Sequence, residues 1–399
     1  MRKIAMQCYG VSHGGDPMMT RRDYLKQAAG AAAAAAIPGL LGGWSAMAQG
    51  APGTKSITGK NSLKARASAR GLLAGCAVNA AVLRSDEAYR NLLAEQYNIV
   101  VPEYCMKWAA LRPTVDTYSF DEADELMAFA QTHGMKVRGH NLVWHESLPK
   151  WFETTVSKDN AQKFMTDHIM TVAGRYKGRI HSWDVVNEAI RIKDGRPDGL
   201  RSSSPWMQML GPEYIDIAFK AARQADPKAL LTYNEYGIEY DTEEEEKKRA
   251  AVLGLLRRLK AANTPLDALG IQSHMRAGTK SSFGKGVTEL IASARGLGLQ
   301  VFITEMDVND EDIESNDISL MDREVANVYR DYLTTVLRDP SVKDVLTWGV
   351  SDKHAWMNTP SQRKKNSDRM ARPLPFDKDY APKEAFFAIR DAFDGAKKR

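Results

Sequence analysis

The sequence predicts an α/β fold, a single (β/α)8 barrel over residues 66–399. Eight short apolar runs alternate with longer stretches of helical periodicity, a pattern typical of parallel strands joined by crossover helices. The region is roughly 330 residues long, which is within the size range of such a barrel. A doubly wound open sheet is the alternative fold, but no Gly-rich phosphate turn follows the first apolar run.

The eight apolar runs are the predicted strands. In chain order they span residues 72–78, 99–103, 136–143, 180–188, 230–234, 269–274, 301–307 and 345–352. Segments in which apolar residues recur every three or four positions predict helices, and these are 121–133, 214–225, 243–262 and 323–337. The acidic and then basic start of the third of these helices, 243–249, is interpreted as a solvated face with Glu–Lys pairs one turn apart.

Residues 1–48 are predicted to be a secretion signal. Arg21 and Arg22 precede an Ala-rich apolar stretch, and a small-x-small cleavage pattern closes the segment. The paired arginines resemble a twin-arginine export signal, so we expect an exported protein, periplasmic or extracellular, without membrane attachment after cleavage. A membrane anchor is the alternative, but Pro38 interrupts the short stretch. Residues 49–65 lack apolar periodicity and are expected to be a flexible lead-in.

Composition and charge argue against several classes of function. Hydrophobic residues make up 43% and charged residues 26% of the 399 residues, which is typical of a globular protein and not of a disordered one. The formal net charge is +5, and because residues 1–48 hold five basic and two acidic side chains, the rest of the chain is at +2. So small a positive charge predicts no nucleic-acid partner.

The cysteines predict neither a metal site nor a disulfide framework. Cys76 and Cys105 remain after the predicted signal, and no Cys-x-x-Cys spacing is present. We expect two free, partly buried thiols, with a single disulfide between them as the alternative. No metal ion and no other cofactor is predicted.

Two glutamates at strand-like runs are the candidate catalytic pair. Glu188 ends the fourth predicted strand, and Glu305 lies in the seventh. A charged group beside a buried sheet is costly unless chemistry requires it, and the C-terminal ends of barrel strands form the active-site face. Cleavage of a glycosidic bond requires two carboxyl groups, one that protonates the leaving oxygen and one that acts on the anomeric carbon. The sequence therefore predicts a glycoside hydrolase.

Polar side chains end the predicted strands from the second to the eighth. A structural capping role would explain any one of them, but seven successive strands with such residues indicate a shared site. They are Glu103, Lys107, His140, Asn141, Trp144, His145, Asn187, Asn234, Gln272, His274, Asp307, Trp348 and Asp352.

Six short segments between residues 70 and 390 contain recognisable motifs. They are RGHNLVWH at 138–145, WDVVNE at 183–188, GIQSH at 270–274, ITEMD at 303–307, TWGVSD at 347–352 and FDKDY at 376–380. In order and spacing the chain resembles glycoside hydrolase family 10, the endo-β-1,4-xylanases. The resemblance implies a retaining enzyme that cleaves xylan through a covalent glycosyl-enzyme intermediate, with Glu188 as acid/base and Glu305 as nucleophile. It also implies a monomer.

The resemblance implies roles for further residues. Asn187 is expected to bind the sugar 2-hydroxyl, and His274 with Asp307 to orient the nucleophile. Flat indole faces suit the apolar faces of pyranose rings, although for Trp151 and Trp183 we expect core packing. The residues expected to bind substrate are Glu103, Lys107, His140, Trp144, Gln272, Trp348 and Trp356.

The two catalytic roles require opposite protonation states. Glu305 would attack as a carboxylate, so we expect hydrogen-bond donors or positive charge that lower its pKa. Glu188 must stay protonated until substrate binds, so we expect a less ionising environment and the charge of Glu305 nearby. A retaining pair is expected to have its carboxyl groups about 5 to 5.5 Å apart.

Three positions depart from the family pattern. Tyr104 stands where the family has Asn, and Glu146-Ser147 replaces a Ser-Gln pair whose Gln contacts the glycone side. Both are expected sugar-binding positions, so the sequence specifies the substrate less closely than the reaction. Glu235 replaces the usual Asp. The basic segment 363–372 is a candidate contact for uronic acid branches, but we interpret it as a solvated, mobile loop.

Three other functions compete with this prediction. A metal-dependent hydrolase would use His140, His145, His274 and a carboxylate as ligands, but the first strand lacks the His-x-His pair of such barrels. A sugar-binding barrel without turnover is disfavoured because both glutamates are present. Hydrolysis of a different β-glycan or of an aryl β-glycoside is an alternative, because the departures alter the glycone site.

Overall fold

A computed structural model describes residues 56–359, 362 and 369–399. The predicted secretion signal, 1–48, lies outside the described residues, as do residues 49–55 of the predicted lead-in. Within the described part of the chain, no helix combines the length and the hydropathy needed to cross a membrane.

In the described residues, nine parallel strand segments form a closed barrel. They are β1 (Leu73–Val78), β2 (Ile99–Pro102), β3 (Lys136–Gly139), β4 (Ser182–Asn187), β5 (Leu230–Glu235), β6 (Ala268–Ile271), β7 (His274–Arg276), β8 (Gln300–Asn309) and β9 (Val342–Thr347). Neighbours pair in order from β1 to β6, then β6 pairs with β8, β8 with β9, and β9 with β1. The predicted (β/α)8 barrel is confirmed, and the open-sheet alternative is wrong because the last strand pairs with the first.

Most predicted strands agree with the observed ones to within a few residues, but the third, the sixth and the eighth differ more. The third ends at Gly139 instead of 143, because the backbone then leaves the ladder and only a single bridge, Val143 to Val186, continues it. The eighth is displaced towards the N-terminus as Val342–Thr347, so Asp352 lies in the turn that follows it.

The sixth barrel strand is interrupted, and the single strand predicted there is wrong. β6 ends at Ile271 and β7 begins at His274. Ser273, between them, has a φ of +63°, in the left-handed region that residues other than glycine rarely adopt. Ile271 pairs with Ile303 but His274 pairs with Asp307, so β8 holds one more residue than its partner across the break.

Thirteen α-helices lie around the barrel in the described part of the chain. They are α1 (Leu63–Ser68), α2 (Ala80–Ser85), α3 (Glu87–Gln96), α4 (Trp108–Leu111), α5 (Asp121–Thr132), α6 (Phe152–Thr155), α7 (Ala161–Arg175), α8 (Pro205–Leu210), α9 (Tyr214–Ala225), α10 (Glu243–Ala261), α11 (Lys285–Gly296), α12 (Ile318–Val336) and α13 (Glu384–Gly395). Short 3-10 helices span Gly59–Asn61, Ile192–Asp194, Gly211–Glu213, Asp352–His354 and Trp356–Asn358. The predicted helices are confirmed, although α12 begins before the predicted residue 323 because the Asp317 carboxylate caps it.

Helix α10 begins with a solvated face and two buried cations. Glu243 and Lys247 form the predicted exposed pair one turn apart, with 2.6 Å between Nζ and Oε1. Lys248 and Arg249 are instead buried, so interpreting the whole segment as a solvated face is wrong. Lys248 Nζ lies 2.9 Å from Glu235 Oε1, and the Arg249 guanidinium donates to backbone carbonyls of the preceding loop.

Helix α1 begins before the predicted domain boundary. A 3-10 turn at Gly59–Asn61 leads into it, and both Leu63 and Ala67 are buried. The Leu63 N–H donates to Gln96 Oε1 of α3 at 3.1 Å. The predicted boundary between residues 65 and 66 therefore falls inside a packed helix, and the lead-in is shorter than expected.

The core lies inside the barrel and between the strands and helices. Trp183 is fully buried, as predicted, and packs so closely on β3 that a Cβ at Gly139 would overlap its indole ring. Trp151 packs against the core while partly exposed.

Cys76 and Cys105 are both buried and free, which confirms the prediction of two thiols. Burial raises the pKa of both, so they stay protonated at neutral pH.

A buried ion pair joins the segment after β9 to the start of α13. Lys383 Nζ lies 2.9 Å from Asp352 Oδ2 and 2.7 Å from the Arg372 carbonyl oxygen, and the Lys383 and Asp352 side chains are almost fully buried. Burial raises the pKa of Asp352 to about 6, although Lys383 opposes the rise.

We predict that Lys383→Met lowers the free energy of unfolding by about 3 to 5 kcal/mol near neutral pH, because a buried carboxylate loses its partner. Urea denaturation measures the loss. Lys378→Met, which removes an exposed pair with Asp379, is the control and is expected to cost under about 1 kcal/mol. Equal losses in the two variants would contradict the prediction.

Candidate active site

The catalytic candidates meet at the C-terminal end of the barrel. Glu188 directly follows β4, and Glu305 lies within β8. His140 follows β3, while Gln272 and His274 border the break between β6 and β7. Parallel strands bring their C-terminal ends to one face. Side chains from distant parts of the sequence therefore surround one site.

Three donors hold the Glu188 carboxyl group. Its Oε2 accepts from Trp144 Nε1 at 2.9 Å. Its Oε1 accepts from Gln272 Nε2 at 3.0 Å and from Asn187 Nδ2 at 3.2 Å. Trp144 was expected to contact sugar, and in the structure its indole N–H contacts the candidate acid.

The backbone of Glu188 is fixed as well. Its φ is +58°, a left-handed conformation that costs a residue other than glycine on the order of 1 kcal/mol or more. Its N–H donates to the Asn234 carbonyl at 2.9 Å, and its carbonyl accepts from Arg201 Nε at 3.0 Å. Arg201 is 5% exposed and was not predicted as a site residue, since it lies in a loop outside every motif.

The Glu305 carboxyl group lies among hydrogen-bond donors. Its Oε1 accepts from Asn234 Nδ2 at 2.6 Å, and His274 Nε2 lies 3.5 Å from its Oε2. His274 Nδ1 lies 2.9 Å from Asp307 Oδ1, and Asp307 Oδ2 accepts from Trp356 Nε1 at 2.7 Å. The His274 ring is therefore held between the carboxylates of Glu305 and Asp307.

Two asparagine amides connect the two carboxyl groups. Asn234 Nδ2 donates to Glu305 Oε1 and also to Asn187 Oδ1 at 2.9 Å, and Asn187 in turn donates to Glu188. Thr304 Oγ1 fixes the Asn234 side chain by donating to its Oδ1 at 2.8 Å. The sequence analysis placed Asn234 at a strand end but assigned it no role in the site.

Burial is the largest cause that raises the pKa of Glu188 above the ordinary range. The negative charge of Glu235 is the next cause, and Glu305 makes a smaller contribution in the same direction. Hydrogen bonds from Gln272 and Trp144 favour the ionised form and partly oppose the rise. Glu188 therefore holds its proton to higher pH than an exposed glutamate does.

The pKa of Glu305 shifts the opposite way. Burial alone would raise it, but the hydrogen bond from His274 and the nearby His140, His274 and Lys107 lower it to about 2. Burial acts to lower the pKa of His274, yet Asp307 and Glu305 raise it well above the ordinary value. At neutral pH a positive imidazolium thus faces an ionised Glu305.

A buried histidine–aspartate pair lies next to Glu305. His140 Nδ1 lies 2.9 Å from Asp184 Oδ2, and the Arg138 guanidinium forms an ion pair with the same carboxylate. Asp184 is 1% exposed. The sequence analysis did not select it, although a carboxylate inside the apolar strand of WDVVNE was a usable signal.

The structure does not support a metal site made of the three histidines and a carboxylate. In the described part of the chain, the ligand atoms that converge within 4.8 Å of one another belong to His140, Asp184 and Glu305, not to His140 with His145 and His274. Both carboxylates of that group are already paired with buried or partly buried cationic side chains. Compensation of this kind leaves little unbalanced negative charge to attract an ion.

Lys107 lies over two indole rings. Its Nζ is 5.0 Å from the ring centroid of Trp144 and 5.7 Å from that of Trp348. Burial lowers the pKa of Lys107, and the charges of Glu305 and Glu103 oppose the change. Burial raises the pKa of Glu103, which follows β2. This side of the site therefore offers flat rings and one partly buried cation to a ligand.

The predicted site residues form one connected set in the structure. His140 and His274 lie edge-on to Trp348, with ring centroids 5.2 and 6.5 Å away, and Trp356 lies 6.0 Å from His274. Their roles in catalysis and substrate binding stay predictions. The set consists of Glu188, Glu305, His274, Asp307, Asn187, Glu103, Lys107, His140, Trp144, Gln272, Trp348 and Trp356.

Two departures from the family pattern lie at the predicted glycone side. Tyr104, which stands in place of an amide, is 52% exposed. Ser147 has a φ of +53°, and its carbonyl accepts from the Ala109 N–H at 2.8 Å. An exposed aromatic ring and a small hydroxyl thus replace two amide side chains.

The basic segment 363–372 is described only from residue 369 onward. Arg369 donates to backbone carbonyls that include Ser315, at 3.0 Å, and Arg372 Nε lies 2.7 Å from Asp322 Oδ1. These two arginines bind the protein itself, so interpreting the segment as a solvated, mobile loop is wrong for them.

Glu235 is buried behind the candidate acid. Its Oε2 accepts from the Ile190 N–H at 3.1 Å, and its Oε1 lies 2.9 Å from Lys248 Nζ. We predict that Glu235→Gln moves the alkaline limb of the kcat/KM profile to lower pH, because removing a negative charge makes Glu188 easier to ionise.

A pH profile on xylohexaose measures this effect. The acid limb, which Glu305 is predicted to set, should stay in place. Glu244→Gln, which neutralises an exposed partner of Lys193, is the control and should move neither limb. An alkaline limb that stays in place or rises in Glu235→Gln would contradict the prediction.

Comparison with known proteins assigns the family. Residues 62–392 match the family described as Glycosyl hydrolase family 10. The chain is 34% identical over 311 residues to Endo-1,4-beta-xylanase B of Thermotoga neapolitana, an alignment that covers 77% of this chain and 84% of that protein. It is also 34% identical over 330 residues to Endo-1,4-beta-xylanase B of Paenibacillus barcinonensis, covering 79% and 93% of the two chains.

Solved structures agree with the sequence comparison. The crystal structure of xylanase 10B from Thermotoga petrophila RKU-1 in complex with xylobiose is similar with a TM-score of 0.74 at 32% identity, over 84% of this chain and 97% of that chain. The matched region of the family includes the whole barrel and every predicted site residue. This chain therefore belongs to glycosyl hydrolase family 10.

Proposed function

We propose that this protein is an endo-1,4-β-xylanase that hydrolyses xylan with retention of anomeric configuration. The main support is the pairing of Glu188 and Glu305, whose pKa values shift in opposite directions and whose carboxyl groups are joined through Asn187 and Asn234. Family membership and similarity to named xylanases support the substrate class. The separation of about 5 to 5.5 Å that retention requires stays a prediction.

In the first step, the Glu305 carboxylate attacks the anomeric carbon while Glu188 donates its proton to the glycosidic oxygen. The bond from that carbon to the leaving sugar breaks, and a glycosyl ester forms on Glu305. The low pKa of Glu305 keeps the nucleophile ionised, and the raised pKa of Glu188 keeps the acid protonated. Asn187 is proposed to hydrogen-bond the sugar 2-hydroxyl, a contact that strengthens towards the transition state.

In the second step, Glu188 acts as the base. A water molecule attacks the anomeric carbon and gives a proton to the Glu188 carboxylate, and the ester bond breaks to regenerate the Glu305 carboxylate. Glu188 ionises more easily at this stage because the charge of Glu305 is absent from the ester. The same residue thus serves as acid and then as base.

The aromatic residues and Lys107 are proposed to bind the glycone side of the substrate. Trp356 has a fixed ring orientation, since its Nε1 donates to Asp307. Trp348 is 8% exposed and presents only part of its ring. Rings held in this way suit the apolar faces of sugars, and Lys107 and Glu103 can bind hydroxyl groups.

Products formed from unsubstituted xylan and xylohexaose test the proposal. We expect xylo-oligosaccharides of intermediate length early in the reaction, because cleavage is internal, and the β-anomer as the first product seen by NMR. Activity is expected to survive EDTA, since carboxyl groups perform both steps. Release of single sugars only, or the α-anomer as first product, would contradict the proposal.

Hydrolysis of another β-glycan is the second candidate function, and Tyr104 with Ser147 favours it. A site that loses a hydrogen-bonding amide discriminates differently among sugars. We predict that Tyr104→Asn combined with Ser147→Gln raises the preference for xylan over β-glucan by about tenfold or more. The ratio of kcat/KM on the two polymers measures it. An unchanged ratio would show that these positions do not determine specificity.

We also propose export as a monomer after removal of residues 1–48. The support is the order of paired arginines, apolar stretch and small-x-small site in the sequence. N-terminal sequencing of secreted enzyme should give Gln49, and Arg21→Lys with Arg22→Lys should keep the protein in the cytoplasm. A dimeric mass in solution, or a retained N-terminus, would contradict the respective part.

A further inference from the structure

We propose that Glu239 is a positioning residue. It holds the backbone at the break in the sixth barrel strand and so fixes the orientation of Gln272 and His274, the side chains there that contact the two catalytic carboxyl groups. The inference rests on the proposed function of Glu188 and Glu305 and adds to it a residue outside the site. Glu239 lies in the loop after β5 and is 2% exposed.

The break between β6 and β7 separates two residues that touch the catalytic pair. Gln272 Nε2 donates to Glu188 Oε1 at 3.0 Å, and His274 Nε2 lies 3.5 Å from Glu305 Oε2. Ser273 is the residue between them. In a regular strand, the direction of each side chain follows from the pleat. Here it follows from the left-handed backbone of Ser273, because rotation at that residue turns Gln272 relative to His274.

Glu239 accepts the backbone hydrogen bond that a neighbouring strand would accept in a continuous sheet. Its Oε1 accepts from the Ser273 N–H at 2.8 Å, and its Oε2 accepts from the Ile238 N–H at 2.6 Å. Tyr240 Oη accepts from the Arg276 N–H at 2.7 Å at the other end of β7. β7 pairs with β8 on one side, and these two side chains satisfy N–H groups on the other.

The hydrogen bond to Glu239 fixes the backbone N–H of Ser273 and not its side chain. A left-handed conformation at a residue other than glycine persists only where surrounding contacts determine it. Ser273 Oγ also lies 2.8 Å from Tyr332 Oη, but that contact holds the side chain. Burial of a carboxyl group is costly, and it raises the pKa of Glu239 although two backbone N–H groups oppose the rise. A buried acid used to accept backbone N–H groups at this position fits a positioning role.

The experiment compares Glu239→Ala with two neighbouring controls. Glu239→Ala should lower kcat/KM on xylohexaose by about 10²-fold, mainly through kcat, because a small displacement of catalytic contacts has effects of that size. It should also move both limbs of the pH profile upward. Loss of the Gln272 bond raises the pKa of Glu188, and loss of the His274 contact raises the pKa of Glu305.

Two matched control variants alter residues near Ser273 but leave its N–H hydrogen bond to Glu239 intact. Tyr332→Phe removes the bond to Ser273 Oγ, and Glu245→Gln alters a carboxyl group that accepts from the Tyr240 N–H at 2.6 Å. Both variants should leave the acid and alkaline limbs of the pH profile in place. Glu239→Gln retains an oxygen that can accept from the Ser273 N–H. It should keep most of the activity of the unaltered enzyme, with both limbs of the pH profile at their original positions.

Unmoved limbs in Glu239→Ala, with activity reduced only in proportion to the folded fraction, would overturn the inference. Equal shifts in Tyr332→Phe would do the same. If Glu239→Ala does not fold, Glu239→Asp decides, because its shorter side chain displaces the acceptor, and it must shift both limbs upward.

An NMR titration of His274 separates this inference from the proposed function. The charge of Glu239 also acts on His274, so the matched comparison is with Glu239→Gln, which lacks that charge as well. The pKa of His274 should be lower in Glu239→Ala than in Glu239→Gln, because only the alanine variant loses the contact of His274 with Glu305. If the alanine variant does not fold, Glu239→Asp is compared with the unaltered protein, since both are charged. Equal values in the matched pair would overturn the inference whatever the substrate. An unaltered enzyme without xylanase activity would instead contradict the proposed function.

Discussion

Glu305→Gln is expected to lower kcat/KM on xylohexaose by about 10⁴- to 10⁶-fold, because the amide cannot form the glycosyl ester. The substitution keeps the shape of the side chain, and Asn234 Nδ2 can still donate to the remaining oxygen. The loss is therefore one of chemistry and not of folding, which thermal unfolding of the variant checks. The exposed Glu314→Gln on the loop after β8 is the control and should retain full activity.

Glu305→Ala with added azide identifies the role of this residue. Removal of the side chain leaves room for azide on the face from which Glu305 attacks. A single displacement by azide, assisted by Glu188, should give the α-glycosyl azide, since configuration inverts once. Formation of the β-azide, or activity above about one per cent of the unaltered enzyme without azide, would contradict assignment of the nucleophile.

Glu188→Gln is expected to lower kcat/KM on xylohexaose by about 10²- to 10⁴-fold, the usual contribution of a general acid. A dinitrophenyl β-xylobioside should react quickly in its first step, because this leaving group needs no proton. The second step should be slow, since no base activates water. Stopped-flow absorbance should therefore show a burst of dinitrophenolate equal to the enzyme concentration, followed by a slow steady state.

Azide distinguishes the acid/base from the nucleophile. In Glu188→Ala, azide should attack the glycosyl ester on Glu305 and give the β-glycosyl azide, since configuration inverts twice. The alkaline limb of the pH profile should also disappear, because the group whose ionisation sets it is removed. An α-azide from this variant, or an alkaline limb that remains, would contradict the assignment.

Much of the catalytic site could be predicted from the sequence, because apolar runs and the residues that end them are local features. Glu188 and Glu305 were identified from their positions in such runs, and the structure places both at the C-terminal end of the barrel. Asn234, Asp184 and Arg201 were not assigned roles. Their importance comes from partners far away in the chain, for example Asn234 with Glu305.

Two errors in the fold prediction have the same physical cause. The apolar pattern of residues 269–274 indicates a continuous strand, but the hydrogen bond from the Ser273 N–H to Glu239 holds Ser273 in a left-handed conformation. The charges at the start of α10 likewise indicate a solvated face, but Lys248 turns inward to a buried carboxylate of β5. In both places a tertiary contact overrides the local pattern.

The sequence by itself determined the barrel, the approximate positions of most strands and the two glutamates that lie at them, because hydrophobic periodicity is a property of neighbouring residues. Only the tertiary structure decided which groups keep Glu188 protonated and Glu305 ionised. Burial and the charge of Glu235 raise the pKa of Glu188, whereas His274 and Lys107 lower that of Glu305. Those groups lie on different strands and loops, and electrostatic energies depend on distance in space and on exclusion of water, not on separation along the chain.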